Sequence, residues 1–137
     1  LFEQRKTRKT YLALVDGDVP AAGQIDRPLR EFGSGRTAVS DQGKPSLTRY
    51  KPLSRGRGCT LLTAEPVTGR RHQLRAHFYA IGHPILGDTL YGSPRPVGGL
   101  PRLMLHAVAL GIDGLPPLMC PTPENFSLVL NERFKNI

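Results

Sequence analysis

The sequence predicts an α+β domain in which a mixed, largely antiparallel sheet is flanked by helices. Strand-like runs follow one another in groups and do not alternate with helices, which is typical of antiparallel sheets. Helical periodicity is clearest in one interior segment, between the strand-like runs. A chain of 137 residues is long enough for one domain with a hydrophobic core. We therefore expect residues 1–137 to form a single domain.

The strands are predicted from β-rich or alternating runs bounded by glycine and proline. They cover residues 10–15, 24–29, 46–53, 59–65 and 104–112. Residues 46–53 alternate strictly, as a half-exposed strand does, and Gly56 and Gly58 provide the turn into a hairpin partner at 59–65. Residues 33–35 (Gly-Ser-Gly) are expected to form a loop.

Helices are expected at three places. The main helix is predicted over residues 72–81, residues 1–6 are typical of the last turns of another, and a final helix is expected after Thr122 and Pro123, which suit an N-cap and a first helical position. Residues 92–101, rich in glycine and proline, are expected to be an irregular connector.

The charge of the chain favours an anionic partner. Lysine and arginine number 19 against 11 acidic residues, which gives a net charge of +8. Such a surface attracts polyanions, of which nucleic acid is the commonest. No apolar run approaches the length of a membrane span, so no membrane partner is expected. Cys59 and Cys120 are isolated and are interpreted as reduced, buried residues of a cytoplasmic protein.

Residues 68–77, Thr-Gly-Arg-Arg-His-Gln-Leu-Arg-Ala-His, are the most informative segment. Leu74, Phe78 and Ile81 recur at i, i+4 and i+7 and so lie on one helical face. Arg75 follows Leu74 and should lie at the edge of this buried face. There a rigid guanidinium can bind a carboxylate or phosphate through two parallel hydrogen bonds. A solvated basic helix end is the simpler alternative, but the adjacent core anchor argues against it.

Other chemistries find little support in the sequence. His72 and His77 point about 140° apart on a helix, and no Cys-x-x-Cys pair is present, so no metal site is expected. Nucleotide-binding glycine loops are absent, and no organic cofactor is expected. Tyr11 suits a core tyrosine with its hydroxyl at the rim, or a ring that stacks on a base. Asp88, which follows Gly87, suits a turn or cap residue better than a catalytic one.

Several segments together resemble the RluA-type pseudouridine synthases. They are residues 68–77, residues 82–88 (Gly-His-Pro-Ile-Leu-Gly-Asp) with Tyr91, residues 103–107, the tyrosine-bearing run 9–15, and residues 43–48 with their lysine and threonine. The resemblance covers nearly the whole chain in the family's order. It implies a cofactor-free enzyme with the pseudouridine synthase fold that isomerises uridine to pseudouridine in structured RNA, either rRNA or tRNA.

The resemblance also implies roles for individual residues. Arg75 would hold the carboxylate of a nucleophilic aspartate, and Tyr11 would pack against the flipped base and help to move a proton. Leu74 would form part of the apolar floor of the uracil pocket. Contacts to the RNA substrate would come from Lys9, Lys44, Arg70, Arg71 and His72.

The chain departs from the family pattern in one respect. The family's nucleophile lies in an Arg-Leu-Asp segment upstream of the tyrosine strand, and these 137 residues contain no such segment. We therefore expect that Arg75 has no carboxylate partner in this chain, and that the chain is part of a catalytic domain, inactive without its upstream segment. A catalytically silent RNA-binding module and an interaction protein are the alternatives. An incomplete sheet should expose an edge near Tyr11 through which another chain could pair.

Overall fold

The computed structural model describes residues 7–56, 58–91, 103–112 and 118–119. Within these ranges it contains strands and one helix, and the predicted α+β class is confirmed. The elements are β1 (Thr7–Asp16), β2 (Gly23–Asp26), β3 (Leu29–Glu31), β4 (Thr37–Val39), β5 (Leu47–Gly56), β6 (Cys59–Pro66), α1 (Gln73–Ala80), β7 (Leu105–Ile112) and β8 (Leu118–Met119).

The main sheet is antiparallel and has the strand order β2-β5-β6-β1-β7-β8. β1 is an interior strand: Tyr11 pairs with Ala64 of β6 on one side and with Ala107 of β7 on the other. The prediction of an exposed sheet edge near Tyr11 is therefore wrong, because β1 is paired with β6 on one side and with β7 on the other.

β5 and β6 form the predicted hairpin. The turn contains Gly58, whose φ of 75° lies in the left-handed region that favours glycine. The pairing shifts register between Pro52 and Ser54. Proline has no amide hydrogen to donate to the ladder, so a bulge at this point is its expected effect.

The helix α1 confirms the predicted apolar face. Leu74 and Phe78 are buried, and Ile81 packs against the same core. The helix ends in paired bonds of the Schellman type: Gly82 N–H donates to Tyr79 O, and the N–H of the next residue donates to Phe78 O. Gly82 has a φ of 85°, so glycine suits this exit.

The core lies between α1 and one face of the main sheet. Alternation along β1 directs Tyr11, Ala13 and Val15 to the same face, and Ala13 and Val15 are fully buried. Phe78 of α1 is also fully buried, and burial of a phenylalanine side chain contributes up to about 3 kcal/mol. Phe78 packs edge-on against Tyr50 of β5, so α1 lies against β5 and β6.

A single strand over residues 24–29 was predicted, and this is wrong. β2 ends at Asp26 and pairs with β5, whereas β3 begins at Leu29 and pairs with β4 in a separate two-stranded sheet. Pro28 lies between them and cannot donate a ladder hydrogen bond. The predicted loop at 33–35 is confirmed as the connection between β3 and β4.

Other predictions fall outside the described ranges. These are the helical turns over 1–6, the connector over 92–101 and the final helix after Thr122. Among the residues that are described, no helix is long and apolar enough to cross a membrane.

Candidate active site

A pocket of about 360 Å³ opens beside the first turn of α1. Its walls come from β1, the end of β6, the loop before α1 and the start of β7. The lining residues are Lys9, Tyr11, Pro66, Thr68, Gly69, Arg70, His72, Gln73, Leu74, Arg75, Leu103 and Leu105. Elements distant in sequence thus meet at one concavity with cationic and apolar walls.

Gln73 fixes the loop that forms one wall of the pocket. Its Oε1 accepts hydrogen bonds from Thr68 Oγ1 (2.6 Å) and Arg70 N–H (3.1 Å). Its Nε2 donates to Leu47 O (2.8 Å) and Thr48 Oγ1 (3.0 Å). Every donor and acceptor position of the amide is used, so the loop is tied to the start of β5.

Behind this loop, His77 continues the buried polar network. Its Nδ1 lies 2.8 Å from Thr48 Oγ1, and its Nε2 lies 2.9 Å from Arg27 O. A carbonyl oxygen only accepts, so Nε2 carries the proton and Nδ1 accepts from the threonine hydroxyl. Burial is the main reason that the pKa of His77 is lowered. His77 is thus a neutral structural histidine.

Arg75 is ion-paired with Asp88. Its Nε donates to Asp88 Oδ2 (3.0 Å) and its Nη2 donates to Asp88 Oδ1 (2.8 Å). The prediction that Arg75 has no carboxylate partner in this chain is therefore wrong. The two-pronged geometry predicted for the guanidinium is present, but the carboxylate comes from the turn after Ile85 and Leu86, whose side chains anchor it in the core.

Asp88 is also a cap, as the sequence indicated. Its Oδ1 accepts the backbone N–H groups of Leu90 (3.1 Å) and Tyr91 (3.0 Å). Burial alone would raise the pKa of Asp88, but the hydrogen bond from Arg75, the two N–H groups and the positive charge outweigh it and lower that pKa. Mainly through the same hydrogen bond, the pKa of Arg75 is raised. The pair is therefore ionised.

The Asp88 carboxylate is not itself placed to attack a substrate. Its side chain is 0% exposed, and it does not line the pocket. Arg75, in contrast, lines the pocket and is 21% exposed. Asp88 binds the Nε–Nη2 edge of the guanidinium, so the edge that includes Nη1 is available for a second anion.

Tyr11 and Lys9 enter the pocket from β1. The pairing of β1 with β7 shifts register between Thr10 and Tyr11, so a bulge lies beside the pocket. Bulges redirect neighbouring side chains and are frequent near active sites. Tyr11 is half-buried and packs against the core cluster, which agrees with either interpretation of this residue.

The structure brings together most of the residues singled out in the sequence. Lys9, Tyr11, Arg70, His72, Leu74 and Arg75 all line the pocket. Arg71 and Lys44 are exposed and lie outside it. Arg70 donates to Pro45 O from Nε (3.2 Å) and Nη2 (2.8 Å), so this edge of its guanidinium is held by the protein.

Sequence reasoning missed three contributors. Asp88 was assigned only a cap, although its place after a glycine-punctuated loop was noted. Gln73 carried no signal apart from its position beside Leu74. Tyr91 was noted only as part of the resemblance, yet its ring lies under the Arg75 guanidinium, 5.2 Å from ring centre to Cζ.

In the described part of the chain, no group of His, Cys, Asp or Glu is arranged to hold a metal ion. The pocket instead offers cations, a phenol and apolar surface. Such a lining suits a planar base with an attached phosphate, and it can stabilise a negative charge.

Comparison with known proteins defines the class. The family model described as RNA pseudouridylate synthase matches residues 1–80. The chain belongs to this family, and its pseudouridine synthase fold is confirmed by solved relatives. It is similar to human RNA pseudouridylate synthase domain containing 1, with 34% identity, a TM-score of 0.71 and coverage of 88% of this chain and 56% of the other. It is also similar to human RNA pseudouridylate synthase domain containing 4, with 26% identity, a TM-score of 0.78 and coverage of 92% of this chain and 62% of the other.

Two bacterial relatives are similar in sequence. The dual-specificity RNA pseudouridine synthase RluA of Escherichia coli (strain K12) is 41% identical over 116 residues, which cover 81% of this chain and 53% of the relative. The ribosomal large subunit pseudouridine synthase D of Nitrosomonas europaea is 43% identical over 115 residues, which cover 77% of this chain and 33% of the relative. The chain thus spans between a third and about half of these relatives' length.

Proposed function

We propose that this chain forms part of the catalytic domain of an RNA pseudouridine synthase, which isomerises uridine to pseudouridine in structured RNA. The observation that carries the proposal is the pocket itself. It places Arg75, anchored by Asp88, beside Tyr11 and Leu74. Family membership makes this pocket the candidate site for the target uridine.

The pocket suits a base that has left its stack. Leu74 and Tyr11 offer apolar surface and a ring, which help to offset the cost of unstacking a base. Lys9 and Arg70 lie at the same pocket and would bind the flanking phosphates. Arg71 is exposed next to the pocket wall and would contribute an outer phosphate contact. Lys44 is exposed and would do the same. These contacts provide affinity without much sequence selectivity.

The reaction needs a nucleophile that lies outside these 137 residues. An aspartate from an Arg-Leu-Asp segment would bind the available edge of Arg75, which would keep it ionised, as a nucleophile must be. It would attack the nucleoside as the base detaches, and the base would then rotate and rejoin through carbon as the aspartate is released. Tyr11 would support the base and assist the proton transfer. The chain alone would bind RNA but would not catalyse.

The RNA substrate is proposed to be rRNA or tRNA. One relative carries the large ribosomal subunit in its name, which favours rRNA as the first substrate to test. A cytoplasmic location belongs to the same proposal, because the sequence has two isolated cysteines and no Cys-x-x-Cys pair, which suits a reducing compartment.

The proposal is tested with the full-length gene product. Large-subunit rRNA and tRNA transcripts are incubated with it, and pseudouridine is measured by mass spectrometry of the digested RNA. We expect new pseudouridine at defined positions with the full-length protein and none with residues 1–137 alone. Absence of pseudouridine in every structured RNA would overturn the proposed activity.

A silent RNA-binding module is the second candidate. It is favoured by the lack of an Arg-Leu-Asp segment in the sequence and by the occupation of one Arg75 edge by Asp88. RNA binding by the full-length protein without any pseudouridine formed would support this module over the enzyme.

A further inference from the structure

His72 has an unusual backbone conformation beside the pocket. Its φ of 53° and ψ of 28° lie in the left-handed region, and it is the one non-glycine residue with positive φ among those the structure describes. Such strain, typically about 1–3 kcal/mol, persists only where the surroundings impose it, and it is concentrated at functional sites. The surroundings here include Tyr91.

Tyr91 is 3% exposed, and its hydroxyl has two partners. Thr37 N–H lies 2.9 Å away and can only donate. His72 Nδ1 lies 3.0 Å away. A buried hydroxyl proton without an acceptor is costly, and Nδ1 is the acceptor within reach in the described part of the chain. The phenol therefore donates to Nδ1, which requires His72 to be neutral with its proton on Nε2.

We propose that Tyr91 is a positioning residue that holds the His72 ring in this Nε2–H form, so that the pocket offers an N–H donor to an acceptor oxygen of the bound nucleotide. The identity of the nucleotide rests on the proposed function. The ring tautomer does not, since it follows from the hydrogen bonds alone. Nε2 has no hydrogen-bond partner among the described residues, and His72 lines the pocket.

The charges around His72 support the neutral ring. Its pKa is lowered, first by burial and then by the nearby Arg75 and Arg71, while Asp88 and Glu31 oppose the shift. An imidazolium would carry a proton on Nδ1, and the phenol proton would then lose its acceptor. A proton on His72 is therefore disfavoured by both charge and hydrogen bonding.

Two guanidinium groups also contact the Tyr91 ring. The Cζ atoms of Arg36 and Arg75 lie 4.7 and 5.2 Å from the ring centre. Arg36 also donates from Nη1 to Leu90 O at 2.9 Å. A side chain fixed in this way can transmit its position to the His72 ring.

The tautomer is tested by nitrogen NMR of the full-length protein labelled with ¹⁵N-histidine, with His72→Asn used to assign the signal. We expect an unprotonated Nδ1 and a protonated Nε2, and this pattern should persist below pH 6.5, the ordinary pKa of histidine. In Tyr91→Phe, the two tautomers should exchange, and the ring should become protonated at higher pH than in the wild type.

Tyr79→Phe is the matched control, because the exposed Tyr79 also contacts the Tyr91 ring, with a centroid separation of 6.2 Å. Its spectrum should equal that of the wild type. A protonated Nδ1 in the wild-type protein, or an unchanged His72 signal in a folded Tyr91→Phe protein, would overturn the proposal.

The nucleotide contact is tested by RNA binding. Tyr91→Phe should weaken binding about threefold to tenfold, as expected for one loosened hydrogen bond. Thio-substituted uracil carbonyls and a methylphosphonate at the target site distinguish the acceptor, since the effect of the variant should vanish with one of them. If Tyr91→Phe binds RNA as tightly as the wild type while the NMR spectra show the expected His72 tautomer, the contact to the nucleotide is overturned and the tautomer is not. If the wild type binds no RNA, the proposed function fails with it, and the tautomer result stands.

Discussion

At the scale of single residues, the guanidinium of Arg75 connects the protein interior to the pocket. One of its edges is bound by a fully buried carboxylate, and the side chain also lines the pocket. A planar guanidinium held along one edge cannot rotate freely, so its second edge has a defined direction. The orientation of this group therefore depends on Asp88 and on the turn that carries it.

Arg75→Lys should separate catalysis from binding in the full-length protein. The charge is kept but the second edge is lost, so we expect activity to fall by about 100-fold or more and RNA affinity to change little. Arg49→Lys is the control, because Arg49 is exposed and does not line the pocket. In the β5–β6 ladder it stands opposite Glu65, one position from Ala64, so it points to the sheet face opposite that of Tyr11 and Ala64. Equal losses of activity and affinity would make Arg75 a phosphate contact instead.

Asp88→Asn should alter the pH dependence of stability. The pKa of Asp88 is lowered below 3.8, so its contribution is complete above that pH and is lost as the pH falls through the folded-state pKa. We expect the variant to be less stable by about 2 kcal/mol at pH 7, with the difference shrinking below pH 3.8. Urea unfolding across pH measures this. A pH-independent difference would show that the carboxylate charge contributes nothing.

At the scale of elements, the loop before α1 is held in place by a side chain of the helix that follows it. Gln73 binds two groups of that loop and two of β5. The wall that contains Arg70 and His72 is therefore held by a side chain whose own role is structural. The geometry of the pocket therefore depends on this amide, which belongs to a residue of the lining itself.

Gln73→Leu should loosen this wall while leaving the core intact. The variant removes four hydrogen bonds and leaves the buried Thr68 hydroxyl without the acceptor of its proton, for which we expect a loss of about 2–3 kcal/mol in the free energy of unfolding. Hydrogen exchange should increase at the Arg70 amide and change little at Ala13, in the centre of β1. The exposed Gln24→Leu is the control. Unchanged exchange at Arg70 would contradict this account of the loop.

Sequence patterns predicted the structural features that depend on residues close together in the chain. The apolar face of α1 and the β5–β6 hairpin follow from local periodicity and glycine placement, and both are confirmed. The division of residues 24–29 at Pro28 and the pairing of Arg75 with Asp88 were not predicted. Both depend on which distant segments meet in space, which local periodicity does not report.

At the scale of the whole molecule, the net charge of the chain and the charge of the pocket lining are both positive. The chain carries +8, and the pocket includes Lys9, Arg70 and Arg75. An excess of positive charge around a concave site raises the local concentration of a polyanion and its association rate. Binding of RNA should accordingly depend strongly on salt.

We expect the logarithm of RNA affinity to fall with the logarithm of salt concentration, with a slope of about −2 or steeper, as for three or more phosphate contacts. Fluorescence anisotropy between low and physiological salt measures this slope. Lys9→Gln should make this slope shallower by the amount that one phosphate contact contributes, about 0.7–0.9. A flat slope for the wild type would remove nucleic acid as the partner.

The interior position of β1 has a consequence for how the protein folds. Its neighbours come from far along the chain, since Tyr11 pairs with Ala64 and with Ala107. The β5–β6 hairpin requires only a short loop to close, whereas the β1–β7 ladder must bring together segments separated by most of the chain, which is entropically more costly and slower. The pocket, with walls from both β1 and β7, is thus expected to assemble late, after the hairpin has formed.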